Sequence, residues 1–319
     1  MEQRYVGTSG LRVSRLGLGT MTWGRDTDEH ESRDQLKSFL DAGGTLLDTA
    51  AGYGDGAAEE LLGQLLPELA RRDEVVLCTK AGISRRTGQR VVDTSRRALL
   101  SDLDASLSRL GTDFVDLWLA HTWSDDVPLE ETLSALEYAV SSGRARYAGI
   151  SNYTGWQSAR AATLAEARSS GLLVAHQVEY SLLSRGVEDE VAPAAEYLGL
   201  GLMAWSPLGR GVLTGKYRHG TPADSRAASP HLASFVERYL GDRSRRVVDA
   251  VVTAADGLGC SPGEIALAWV RDQPGVVAPI VGARTAAQLR GTLTSEEVEL
   301  PPQIRLALDE VSHPGDAEG

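Results

Sequence analysis

Eight short β-type runs, several of them nearly all apolar, punctuate this chain, and amphipathic stretches separate them. The runs are 16–20 (LGLGT), 45–49 (TLLDT), 75–79 (VVLCT), 115–120 (VDLWLA), 147–151 (YAGIS), 176–180 (HQVEY), 201–206 (GLMAWS) and 278–283 (APIVGA). Runs apolar on alternate and adjacent positions alike suit parallel strands covered on both faces. Between them, 28–43, 57–70, 94–111, 129–143, 155–171, 187–199 and 261–273 carry apolar residues at helical spacing. Gly43, Gly111, Gly143, Gly171 and Gly199 close five of these stretches, as left-handed C-terminal positions favour. The alternation predicts a single (β/α)8 TIM barrel spanning 1–319. A doubly wound open sheet is the competing fold. It calls for a glycine-rich turn after the first strand, whereas Gly17 and Gly19 lie inside that strand.

Three segments depart from the alternation. Residues 1–15 read as an N-terminal β-hairpin turning at Ser9-Gly10 and placed to plug the bottom of the barrel. The stretch 207–240 is too long for an ordinary strand–helix connection; following the seventh strand, it is expected as a functional loop at the C-terminal rim. Residues 312–319 are polar and expected to be a flexible tail.

Composition narrows the function classes. A net charge of −12 disfavours nucleic acid as a partner, since that role needs a basic face. No run approaches the about 20 apolar residues of a membrane span, the N-terminus lacks a signal-peptide pattern, and two cysteines make no disulfide framework. A cytoplasmic protein without membrane contact is the expectation. Lys37, Lys80 and Lys216 are the only lysines among 32 basic residues. In an arginine-rich chain a lysine offers what arginine does not: a compact point charge with a tunable pKa.

The strand ends carry the candidate chemistry. Asp48 ends the second strand and Tyr53 follows it by one short loop; Lys80 follows the third strand and His121 the fourth. In a barrel these ends share one mouth. A phenol is a weak acid at neutral pH, and a neighbouring ammonium stabilises its phenolate and draws the pKa toward a useful value. Lys80 is placed to be that cation, Asp48 to hold it charged, and His121 to orient a substrate oxygen beside Tyr53. None of these side chains carries hydride, so a carbonyl reduction would need a cofactor. Cys78 and His176 read as core residues of their strands. A metal-dependent barrel enzyme would require more converging carboxylates and histidines than these strand ends offer.

The segments LLDTAAGYG, LCTKAG, DLWLAHTW, GISNY, QVEYSLL, WSPLGRGVLTGKY and APIVGA resemble the aldo-keto reductase superfamily over essentially the whole chain. The branch is the one containing bacterial general reductases and the β-subunits of voltage-gated potassium channels. The resemblance implies NADPH-dependent reduction of aldehydes or ketones, with Tyr53 as general acid and no metal. It assigns Ser151, Asn152 and Gln177 to the nicotinamide carboxamide and Trp205 to the face of the nicotinamide ring. Ser206, Leu208, Arg210 and Lys216 fall in the loop over the pyrophosphate. Arg284, after Gly282, would meet the adenosine 2′-phosphate, and Gln288 the adenine. Arginine binds phosphate bidentately, so the resemblance favours NADP(H) over NAD(H). Many relatives carry an acidic residue and an asparagine where this chain has Arg290, Gly291 and Thr292; Arg290 either adds to the 2′-phosphate site or faces solvent, and the solvent placement is the expectation. Trp23 and Trp123, on loops at the mouth, are the candidate walls of a pocket for a small-molecule carbonyl, aromatic or, with Asp125 and Asp126 near, sugar-like. A redox sensor or regulatory subunit keeping the same fold with little turnover is the alternative function.

Overall fold

The computed structural model describes residues 1–84, 88–168, 171–222, 225–228 and 233–314. An antiparallel hairpin, β1 (Gln3–Tyr5) and β2 (Arg12–Ser14), precedes the barrel. Then come β3 (Gly17–Gly19), α1 (Glu29–Asp41), β4 (Leu46–Asp48), α2 (Ala57–Leu69) and β5 (Val76–Ala81). A second small hairpin, β6 (Ile83–Ser84) and β7 (Val91–Val92), leads to α3 (Arg96–Leu110). The chain continues through β8 (Val115–Ala120), α4 (Leu129–Ser141), β9 (Ala145–Ser151), α5 (Gly155–Glu166), β10 (Leu173–Glu179), α6 (Val191–Tyr197) and β11 (Gly201–Trp205). It ends with α7 (Ala233–Glu237), α8 (Asp242–Leu258), α9 (Pro262–Arg271), β12 (Val276–Val281), α10 (Ala286–Leu293) and α11 (Pro302–Ser312). The strands β3, β4, β5, β8, β9, β10, β11 and β12 close in that order into a parallel barrel. The expected (β/α)8 TIM barrel with its N-terminal hairpin is thus the observed fold.

Strand alternation sorts the core into two layers. Leu46, Cys78, Leu117, Leu119, Ala175, Met203, Ala278 and Ile280 pack in one cluster with Val6, Leu11 and Val13 of the hairpin. The hairpin therefore plugs the barrel bottom. Its connection contains Ser9-Gly10, as expected: the Val6 N–H donates to the Leu11 carbonyl at 2.8 Å and Ser9 Oγ donates to the Val6 carbonyl at 2.7 Å. Residues 7–10 form the loop, which gives Val6 and Leu11 the reach to enter the barrel. The other cluster, including Leu47, Leu77, Trp118 and Ile150, faces the helices. Gly17 has a steric role inside β3: a Cβ there would lie 2.6 Å from Ile280 Cδ1 and 2.9 Å from Leu46 Cδ2. The glycine leaves that space to the two larger side chains, which explains a glycine-rich segment that makes no turn.

Helices α8, α10 and α11 lie outside the stretches with evident helical spacing. In α8 the adjacent valines of Val247-Val248 and Val251-Val252 weaken the helical signal, yet Val247, Val248, Val251 and Ala255 form its buried face. The expected tail begins later than residue 312, since Ser312 is fully buried at the end of α11; residues 315–319 lie outside the described residues. Among the described residues, no helix is long and apolar enough to cross a membrane.

Candidate active site

The alternation that fills the barrel also delivers its polar mouth. Two residues beyond the interior positions Leu46, Cys78, Leu119, Ala175 and Met203 come Asp48, Lys80, His121, Gln177 and Trp205. A strand turns every second residue to the same face, so the side chains that end the packed column are polar and meet at the C-terminal rim. The Lys80 ammonium is fully buried. It donates to Asp48 Oδ1 at 2.8 Å and to the Thr49 carbonyl at 2.7 Å, and lies 3.5 Å from Tyr53 Oη. The second Asp48 oxygen accepts from Gln177 Nε2 at 2.8 Å. Tyr53 opens a tight turn, Tyr53–Gly56, between β4 and α2, in which Gly54, Asp55 and Gly56 all have positive φ. The His121 ring meets it edge to face, with centroids 5.9 Å apart.

The electrostatics follow from burial and from this pairing. Burial alone would lower the Lys80 pKa, but Asp48, aided by Tyr53, outweighs it and holds the pKa above the usual lysine value. For Tyr53, burial raises the pKa, Lys80 lowers it and Asp48 raises it again; the net position is above the ordinary phenol value. This corrects the expectation that Lys80 brings the phenol down toward neutrality. Lys80 does pull in that direction, but desolvation is the larger effect. Tyr53 therefore stands protonated at neutral pH, as a proton donor must. Burial likewise raises the Cys78 thiol well above its usual value and lowers His176 to about 3, consistent with both as neutral core residues.

A cavity of about 660 Å³ opens over these groups. It is lined by Asp48, Tyr53, His121, Ser151, Asn152, Gln177, Trp205, Ser206, Leu208, Arg210, Lys216, Gly282, Arg284 and Gln288, all of which the sequence singled out. Lys80 sits beneath its floor. Trp205 Nε1 donates to Asn152 Oδ1 at 3.0 Å, while Asn152 Nδ2 donates to the His121 carbonyl at 2.9 Å and to Ser151 Oγ at 3.0 Å. Asn152, Ser206 and Arg210 line the cavity with positive φ (58°, 53° and 58°). Such conformations are costly for non-glycine residues and persist where the surroundings hold them. Arg210 is buried and its guanidinium is engaged: Nε and Nη2 donate to the two Glu179 oxygens at 2.9 Å each, and Nη1 donates to the Phe235 carbonyl. Tyr239 Oη donates to the same Glu179. This cluster ties the described part of 207–240 to the end of β10. The Gln288 Oε1 accepts from the Arg284 N–H within the turn that starts α10. Arg290 turns away, toward Ser38 Oγ.

The two tryptophans chosen as pocket walls are placed elsewhere. Trp23 is fully buried, its Nε1 donating to Gln35 Oε1 at 3.1 Å. Trp123 packs edge-on against Tyr153 and Trp156 beside the rim. Neither lines the cavity, whose walls include Met21, Gly54 and Ile83. Arg25 and the start of α9 (Ser261, Pro262 and Gly263) also line it. The sequence held signals for some of these: Met21 directly follows the first run, 16–20, and Ser261-Pro262 with Glu264 is a helix-start pattern.

The lining suits an elongated anion with a polar aromatic head. Amide and hydroxyl groups and the Trp205 ring stand beside the Asp48–Lys80–Tyr53 cluster, and Arg25, Lys216 and Arg284 line the same cavity. Among the described residues, no group of three or more histidines, cysteines and carboxylates is placed to hold a metal ion.

The sequence comparisons agree with this geometry. The model of the aldo/keto reductase family matches residues 15–313. The uncharacterized oxidoreductase YrpG of Bacillus subtilis is 38% identical, with 98% of this chain and 96% of that protein covered. A probable voltage-gated potassium channel subunit beta of Oryza sativa is 37% identical, over 91% of this chain and 89% of its own length. The L-glyceraldehyde 3-phosphate reductase of Escherichia coli K12 is 36% identical, over 91% and 86%. With a barrel of this topology, this cluster at its mouth and a family match over nearly the whole length, the chain belongs to the aldo/keto reductase family.

Proposed function

We propose that this oxidoreductase reduces aldehydes or ketones to alcohols with NADPH, using Tyr53 as the general acid. The reading rests chiefly on one observation. A buried ammonium, held by Asp48 at 2.8 Å, stands 3.5 Å from a protonated phenol whose ring meets the edge of His121. When bound, the nicotinamide supplies hydride to the carbonyl carbon. Tyr53 Oη releases its proton to the carbonyl oxygen as negative charge develops there. An alkoxide is a far stronger base than a phenolate, so transfer runs downhill even from a phenol of raised pKa. Lys80 stabilises the phenolate left behind, and Asp48 keeps Lys80 charged and fixed, itself steadied by Gln177. His121 orients the substrate oxygen. The Trp205 ring, held by Asn152, would cover one face of the nicotinamide and leave the other to the substrate. Ser151 and the Gln177 amide suit the carboxamide, and Lys216 with Arg284 the phosphates. Arginine at the 2′-phosphate place supports the preference for NADPH.

The test is loss of NADPH absorbance with purified protein and a panel of carbonyls that includes a nitrobenzaldehyde; turnover is expected. The potassium channel relatives favour a second reading, a cofactor-binding redox sensor or regulatory subunit. Tight NADPH binding without turnover across the panel would decide for it.

A further inference from the structure

The segment carrying Tyr53 and the strand carrying Lys80 are tied together outside the cavity by a carboxylate that the chemistry above does not use. Glu59, in the first turn of α2, is fully buried. Its Oε1 accepts from Thr79 Oγ1 at 2.5 Å. Its Oε2 accepts from Arg109 Nε at 2.8 Å and Nη2 at 2.6 Å. Thr79 directly precedes Lys80 in β5, and strand alternation turns it to the outer face while Lys80 enters the barrel. Arg109, in the last turn of α3, also packs under the end of the Tyr53 turn. A Cβ on Gly56 would lie 2.8 Å from its Cδ and Nε, and Gly56 itself has φ +105°. One ion pair thus touches the residue beside Lys80 and the turn that presents Tyr53.

A buried ion pair is costly to assemble and is weak grounds for stability by itself. As a mere staple between α2 and α3 it would need only the Glu59–Arg109 bond. The added bond to Thr79 and the packing on Gly56 point at Tyr53, the proton donor, and at Lys80, the cation beside it. The 3.5 Å between Lys80 Nζ and Tyr53 Oη is at the limit of hydrogen-bond reach. A small shift of either support therefore decides whether the contact survives. We propose that Glu59 and Arg109 are positioning residues that set the Tyr53–Lys80 separation for proton donation. The inference rests on the reading of Tyr53 as the proton donor.

Glu59→Gln keeps the shape and an acceptor for Thr79 but removes the charge facing Arg109; Arg109→Met removes the guanidinium, and Arg109→Lys keeps a cation. With NADPH and a nitrobenzaldehyde, kcat should fall about tenfold to a hundredfold in Glu59→Gln and Arg109→Met, as for a misplacement of about 1 Å. KM and the NADPH Kd should stay close to wild type, and Arg109→Lys should recover much of kcat. Crystals of the two slow variants should show Tyr53 Oη displaced from Lys80 Nζ. Thr79→Val, which removes only the hydroxyl, carries the same comparison should Glu59→Gln fold poorly. Variants that lose thermal stability but keep wild-type kcat and the wild-type separation overturn the proposal. If the wild-type protein reduces no carbonyl, it is the proton-donor reading that fails, and the separation in the variant crystals still decides the positioning claim.

Discussion

His176 makes a prediction that needs no substrate. It lies in β10 directly before Gln177, fully buried, and its Nε2 accepts from the Tyr153 N–H at 3.3 Å. An imidazole accepting at Nε2 is neutral and carries its proton on Nδ1, where Ser158 Oγ lies 3.5 Å away. Burial lowers its pKa to about 3 in the folded chain, against about 6.5 for histidine in the unfolded chain. Between these values the unfolded chain binds a proton that the folded chain does not. The contribution of His176 to stability is therefore complete above about pH 6.5 and declines as pH falls toward 3. Linkage between the two pKa values gives a loss of about 2 kcal/mol from pH 7 to pH 5, or about 3 °C in Tm at this chain length. The assay is urea denaturation at both pH values for wild type and His176→Gln, whose amide oxygen still accepts from Tyr153. Taking the difference between the two proteins cancels the other titrating groups. That difference should shift by about 2 kcal/mol in favour of the variant on acidification; parallel losses refute the reasoning.

Lys80→Met leaves the Asp48 carboxylate buried without its paired cation, so denaturation should show a loss of about 3–5 kcal/mol, and turnover should vanish with the cation. Arg210→Ala strips Glu179 of two hydrogen bonds and frees the anchored end of 207–240. Limited proteolysis should then cut within 207–240 more rapidly, and NADPH should bind more weakly; an unchanged cleavage rate contradicts the anchor. Arg284→Ala should weaken NADPH by about ten- to a hundredfold, the worth of a charge-assisted hydrogen bond, and leave NADH nearly unaffected. Equal losses for both cofactors contradict the 2′-phosphate assignment.

The barrel was legible because several strands are nearly all apolar and because Gly43, Gly111, Gly143 and Gly199 stand at or just beyond the ends of α1, α3, α4 and α6. The cluster was legible because Asp48, Lys80 and His121 interrupt those runs where a strand meets the mouth. What the sequence concealed depends on three-dimensional neighbours. The sign of the Tyr53 shift depends on the balance between burial and Lys80, which spacing does not give. Trp23 and Trp123 follow strands as pocket walls do, but only packing shows Trp23 held by Gln35 and Trp123 packed edge-on against Tyr153. Arg210 lies in a motif assigned to phosphate, yet its partner Glu179 is 31 positions away in sequence. Glu59 carried no signal, since an acidic residue in a first helical turn is ordinary; only Thr79 and Arg109 reveal its place.

The central claim is that Tyr53 donates the proton. Its most direct test is Tyr53→Phe, which removes one oxygen from the cavity and leaves Lys80 bonded to Asp48 and Thr49. Turnover of a nitrobenzaldehyde with NADPH should be abolished while the NADPH Kd stays at the wild-type value. A variant that still reduces the aldehyde at the wild-type rate would contradict the account.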